Sequence, residues 1–515
     1  MFSTKSSSLQ LFLILISLSL SHAQDIKPKY GDEIETEGKL RYITFYMDND
    51  SYIIGKEQKK GRVHYLELKE YDKEGNNINT YKLNKKIENK SLTYHEIVKT
   101  TSGLFAIGNR LVKRDYEHYK CKLEITETIL EPELILKDPF KYDAGGVSMS
   151  PGRNDDVIGT KVSEDMTKVL ITDTYGYQPH KGKELYSMYV LNEELELLWK
   201  KDLTTDSPDY LYDIDHYNVS NEGAVVIHAK QWSSNTSKNR ASSVYKEFIH
   251  IFNDENEAKE AVVLGSQVSV TSTTFFKDNH LFVTGYYVNK SDVKKIIKGV
   301  YIAKYTTTGE LIWLEKNNFD KIVPTVNLNT GFSVSVKLLD LKMFYSAFTK
   351  DDEVYLVGQK SLLVEPKVAN HESSLPQMKF FLGEIVYSKL NLENGALEFY
   401  SNLGNPTRYQ FDAFQLGYND ETAYVLIQTR LEKKELKEMG VVPKVLTAEL
   451  ETVFKINLSN NEIESSLIEV PVNYIYESSK TLRNGNLALV GTPKPEYGIG
   501  AALKDYEYRV AFMKF

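Results

Sequence analysis

Near-continuous apolar stretches of strand length return along the chain at intervals of roughly sixty residues. They read SYIIG (51–55), LFAIG (104–108), KVLIT (168–172), AVVIH (224–228), LFVTG (281–285), VYLVG (354–358), AYVLI (423–427) and LALVG (487–491). Runs this short and this apolar fit strands covered on both faces. Five of the eight end in glycine, which fits a strand exit with unusual dihedrals or a close approach by another backbone.

A second kind of run follows each of these and alternates apolar with polar, as in LYSMYVL (185–191), VYIAKY (300–305) and EIVYSKL (384–390). Alternation with period two predicts half-buried strands. These runs are rich in Tyr, of which the chain has 35; Tyr favours strands, and its ring can be buried while its hydroxyl stays wet. Asn, Asp and Gly clusters such as SNEG (220–223), TTTGE (306–310) and LENGA (392–396) mark tight turns on either side. Each unit therefore reads as a four-stranded antiparallel meander, A-B-C-D, starting near 40, 92, 157, 210, 270, 340, 409 and 473. The one helical pattern, LEKKELKEMG (431–440), reads as an insertion between strands B and C of the seventh unit.

The fold class predicted is all-β, a β-propeller of four-stranded antiparallel blades, with eight blades preferred over seven. The competing arrangement is two successive all-β domains divided near 265 or 330. The last unit ends at its third strand, and the segment 24–39 is placed to supply a fourth strand and close the ring; residues 40–515 form the repeats.

Lys5, the apolar stretch Leu9 to Leu20 and the small residues Ser21-His22-Ala23 compose a secretory signal peptide, residues 1–23, cleaved before Gln24. No later segment is apolar enough to cross a membrane as a helix, so the expectation is a secreted or periplasmic protein. The single cysteine, Cys121, has no intrachain disulfide partner and reads as a small buried hydrophobe. The net charge of −8 is spread among interspersed acids and bases, which argues against nucleic acid and against a polybasic membrane contact.

The hairpin VYIAKYTTTGELIWLEK (300–316) resembles the turn and following Trp of quinoprotein-type propeller repeats, and MYVLNEELELLWKKDL (188–203) echoes it. In layout the chain resembles exported bacterial β-propeller repeat proteins. The resemblance implies the fold and does not extend to binding pyrroloquinoline quinone; no cofactor and no metal site is predicted.

In such a unit the A–B and C–D turns lie on one face and the B–C and D–A connections on the other. All the long segments, among them 137–156, 173–184, 229–244, 320–339, 359–379 and 428–447, fall in the second class. Ordered long loops usually carry function, so the binding site is expected there. Arg153, Tyr175, His180 and Trp232 are its candidate polar and aromatic residues. Asp213, Asp215 and His216, within YLYDIDHYNVSNEG (210–223), are the densest chemical constellation. With the two aspartates on one side of strand A and His216 on the other, they are candidates for binding or acid–base work. The sequence lacks a G-x-S-x-G elbow, an H-E-x-x-H pair and a C-x-x-C pair. The expected function is a non-catalytic binding or scaffold protein gripping a protein, glycan or envelope partner. The alternative is a propeller hydrolase or lyase acting on glycans or peptides.

Overall fold

The computed structural model describes residues 29–30, 34–36, 47–48, 51–60, 63–72, 76–112, 115–139, 159–175, 185–204, 212–232, 245–289, 296–324, 336–366, 379–404, 414–429, 449–470, 474–481, 486–493 and 508–514. The expected leader 1–23, the expected helix 431–440, Arg153 and His180 lie outside them. None of the described residues forms a helix long and apolar enough to cross a membrane.

The architecture is all-β and propeller-like. Seven four-stranded sheets are each built from consecutive antiparallel strands, and the first strands begin at 47, 93, 159, 212, 267, 336 and 415. An eighth sheet comprises Tyr474–Thr481, Asn486–Pro493 and Tyr508–Lys514. Its outer edge is paired by Lys29–Tyr30, with Lys29 opposite Lys514, and by Ile34–Thr36, with Ile34 opposite Val510. The sheets are numbered 1 to 8 in order of their first strands.

The apolar runs become strands because each is covered on both sides. On the second strand of sheet 4, Val225 and Ile227 pack with Leu170, Met188 and Val190 of sheet 3, while Val226 between them packs with Leu281 and Val283 of sheet 5. In sheet 6, Val354 and Leu356 face sheet 5, and Tyr355 and Val357 face sheet 7. Alternate residues of one strand thus serve two different interfaces, and the core is a series of slabs between successive sheets. First strands of successive sheets also touch, as Tyr212–Val219 does with Gln267–Lys277. Cys121 lies in the slab between sheets 1 and 2, where burial pushes its thiol up to about 12.

One expectation is corrected. In sheet 1 buried and partly open residues alternate from Leu66 to Glu70 as expected, but in sheets 3 and 5 the third strands are not half-exposed: Met188, Tyr189, Val190 and Leu191, and Val300 through Ala303, are fully buried. Their alternation is real but separates two slabs rather than core from solvent. Seven of the ten largest fully buried side chains are tyrosines. Two of them bolt neighbouring sheets together through their hydroxyls: Tyr189 donates to Oδ2 of Asp138 at 2.7 Å, and Tyr286 to the carbonyl of Leu356 at 3.1 Å. Lys200 also holds Asp138, at 2.7 Å. Replacing Tyr189 with Phe leaves that carboxylate short of one donor, and urea titration is expected to show a loss of roughly 1.5–3 kcal/mol, the range for a hydrogen bond to a charged group.

Candidate functional site

The two ends of the sheets differ. At the short-turn end, the A–B turns are linked from sheet to sheet. The amide of Thr101 donates to the carbonyl of Met166 (3.1 Å), that of Asp165 to Oδ1 of Asn221 (3.2 Å), and Nδ2 of Asn279 to Oε1 of Glu222 (2.7 Å). Lys277 then donates to the carbonyl of Asp351, and Lys350 to that of Asp420. These bonds knit sheets 2 through 7 into one continuous rim. The turns are sharp because residues there accept left-handed dihedrals, as the Asp278-Asn279 pair does at φ 47° and 57°. Most of the longer connections leave from the opposite end; the exception is 123–132, between the third and fourth strands of sheet 2.

At that loop-bearing end, polar residues are buried between sheets. His118 of sheet 2, fully buried, places Nε2 2.8 Å from Oδ2 of Asp173 in sheet 3. Ser187 of sheet 3 donates to Asp202 at 2.5 Å. The densest cluster bridges sheets 4 and 5. Oε1 of Glu247 lies 2.6 Å from Nε2 of His228 and accepts the hydroxyl of Tyr301 at 2.9 Å and that of Ser272. Ser272 also lies 3.1 Å from the same His228 nitrogen. His228 and Glu247 sit on strands Val225–Trp232 and Tyr245–Phe252, while Ser272 and Tyr301 come from sheet 5. Burial drives the Glu247 carboxyl upward, but the bonds and charge from His228, with Lys230 and Ser272, outweigh it and hold the group at about 2. Burial and the neighbouring carboxylate together drive the Tyr301 hydroxyl well above its usual range.

Serine, histidine and glutamate are the residue types of a nucleophile–base–orienter triad. Their wiring here is different: serine and glutamate meet the same imidazole nitrogen, and serine donates directly to the carboxylate. Ser272 is almost completely buried. The arrangement is a staple across the seam.

Of the candidates from sequence, Asp213, Asp215 and His216 lie on the first strand of sheet 4, Tyr212–Val219. Asp213 stands opposite Lys230, and Ile214 opposite Ala229, but the next pair is His216 with His228. Asp215 is therefore an extra residue in a β-bulge, and the regular alternation expected for the two aspartates is broken there. His216 stacks on His228 with ring centroids 6.1 Å apart, which puts it beside the staple. Tyr175 and Trp232 end the second strands of sheets 3 and 4, opposite Leu185 and Tyr245. Sequence reading missed His118, Asp173, Glu247 and Ser272. The histidine closing AVVIH was the one visible signal, a polar residue where other units carry Gly. Among the described residues, no group of three or more His, Cys, Asp or Glu is arranged to hold a metal ion.

No family model matches the chain, and no curated protein matches it. Among solved structures, a polysaccharide lyase aligns over 92% of this chain and 89% of its own, at 11% identity and a TM-score of 0.33. An uncharacterized protein from Listeria monocytogenes aligns over 78% and 89%, at 11% identity and a TM-score of 0.35. Prolyl oligopeptidase B from Galerina marginata aligns over 86% of this chain and 48% of its own, at 10% identity and a TM-score of 0.34. These distant likenesses establish no specific family.

Proposed function

We propose that the chain is an exported binding or scaffold protein, an eight-bladed β-propeller that presents its loop-bearing end to a protein, glycan or envelope partner. The observation that carries this reading is the contrast between the two ends: one is tied from turn to turn across six sheets, and most of the long connections, all but 123–132 in sheet 2, leave from the other. A rigid scaffold with its variable segments gathered at one end is a common way to build a recognition surface. Nucleic acid is not among the proposed partners of a chain whose net charge is −8.

The test is capture of glycans on an array and of envelope proteins by residues 24–515, repeated with Trp232→Ala, Tyr175→Ala, His180→Ala and Arg153→Ala. Loss of capture in these variants, with none in Glu222→Gln at the opposite end, is the expected result. Capture that survives all four and falls with Glu222→Gln overturns the assignment.

A propeller hydrolase or lyase acting on glycans or peptides is the second reading. It is favoured by Asp213, Asp215 and His216 gathering within four residues at the loop-bearing end of a first strand, around a bulge of the kind that re-aims side chains beside active sites. Turnover of a polysaccharide or peptide that disappears in Asp213→Asn or Asp215→Asn, with folding intact, selects this reading over the first.

A further inference from the structure

The short-turn end has a composition that turn formation does not explain. In sheets 3 through 7, every A–B and C–D turn carries at least one exposed carboxylate, and no residue between the paired strands is Lys or Arg. Asp and Asn are selected by tight turns, but Glu is not. Glu194, Glu196, Glu222, Glu310, Glu393 and Glu462 are all there and exposed; Glu196 accepts from Asn192 in its own turn, Glu222 from Asn279, and Glu194 lies 3.7 Å from Lys122, each keeping its charge at the surface. Nor does turn chemistry disfavour lysine.

The same end also exposes aliphatic side chains at one recurring place, the second residue of the outer strand just after the C–D turn. In sheet 1, Glu70 pairs with Asn79 and Tyr71 with Asn77, so Ile78 is an extra, bulged residue. Leu198 in sheet 3 and Ile312 in sheet 5 are bulged in the same way. All three are between 46% and 49% exposed, and their neighbours Leu197 and Leu311 are similarly open. Bulges on outer strands discourage edge-to-edge pairing, and lysine there would serve that purpose better than isoleucine or leucine. Sheets 3 and 5 thus repeat one unit: a turn glutamate followed by two exposed aliphatic residues, Glu196-Leu197-Leu198 and Glu310-Leu311-Ile312.

We propose that this outer rim of the short-turn end docks a cationic amphipathic polypeptide segment, whose apolar residues cover the bulged aliphatic side chains while its lysines or arginines meet the turn carboxylates. Exposed apolar residues rimmed by charge mark interaction surfaces. The sign of that charge chooses the partner, because anionic lipid surfaces and nucleic acids are repelled by it. The C–D turns of sheets 3 and 6 are held by the preceding sheets, where Lys120 donates to the carbonyl of Glu194 at 2.6 Å and Asn317 to that of Gly395 at 2.8 Å, so little ordering is needed on binding. This surface lies at the opposite end from the proposed ligand face and stands or falls independently of it.

The probe is a peptide of alternating lysine and leucine, compared with one in which serine replaces leucine, each titrated against the full chain by fluorescence anisotropy. The lysine–leucine peptide is expected to bind about tenfold tighter. Leu198→Ser/Ile312→Ser should erase that preference, and Glu196→Gln/Glu310→Gln should weaken both peptides and flatten their salt dependence. Circular dichroism melts establish that each variant is folded. Equal binding of the two peptides, or a preference that persists in the double aliphatic variant, overturns the proposal, as does tighter binding to anionic vesicles or single-stranded DNA.

Discussion

Glu247→Ala is expected to destabilise the protein by about 3–5 kcal/mol, the cost of removing one partner from a buried charge pair. In the native protein one oxygen of Glu247 serves His228, Tyr301 and Ser272, and all four side chains are buried. Alanine leaves three donors facing a dry cavity between sheets 4 and 5. Ser272→Ala and Tyr301→Phe each remove a single donor and should cost roughly 1–3 kcal/mol, since the carboxylate keeps its other partners. Because the four act together, Glu247→Ala combined with Tyr301→Phe should cost clearly less than the sum. Urea unfolding measures all of these. A Glu247→Ala loss under about 1 kcal/mol, well below that buried-pair range, would mean that the carboxylate does not hold the seam.

The same group fixes an acid dependence. Its folded value, about 2, lies below its ordinary value of 4.5. A depressed carboxylate contributes stability that is fully present above its unfolded pKa and disappears as pH falls through its folded one. The contribution is therefore intact above pH 4.5 and is lost towards pH 2, with a total of roughly 3 kcal/mol. In Glu247→Gln this part of the acid slope should vanish, while the slope from surface carboxylates remains. His228, Lys230, Tyr301 and Ser272 face the group, and Tyr305, whose own hydroxyl is pushed up by burial and by the Glu247 charge, packs in the same slab.

The staple also shows where a single sequence is readable and where it is not. Runs such as Val225-Val226-Ile227 announce themselves because two-sided burial removes polar residues from consecutive positions. Gly108 and Gly285, which end two of these runs, were legible for a related reason, since the adjoining first strand presses close against them. The third strands of sheets 3 and 5 misled, because Tyr alternating with Val gives the same pattern whether the second face meets water or another sheet's carboxylate. Nothing local marks Ser272 as the partner of Glu247, 25 residues away and in another sheet. Bulges are equally silent: Asp215 looks like any alternating residue until Ile214 and His216 are seen to face neighbouring positions on the partner strand. Register between units is a tertiary property, and local pattern does not encode it.

Gly285→Ala tests the coupling between that register and the staple. Gly285 pairs with Ser272, two residues beyond the bulge at Val270. Its φ is not in the left-handed region, so the demand for glycine is spatial: an added Cβ would lie 1.9 Å from the carbonyl oxygen of Thr271 and 2.8 Å from Cα of Ser272. These are backbone atoms of the inner strand, which cannot rotate away as a side chain would. The methyl group must push Gln267–Lys277 off the second strand, and Ser272 moves with it, away from Glu247. Overpacking of this kind costs about 1–3 kcal/mol, and the upper end is expected because the obstacle is main chain. Since the displacement already breaks the Ser272 bond, Gly285→Ala and Ser272→Ala should be sub-additive in urea unfolding. Full additivity would show that the inner strand gives way without disturbing the seam, and would separate the glycine's role from that of the staple.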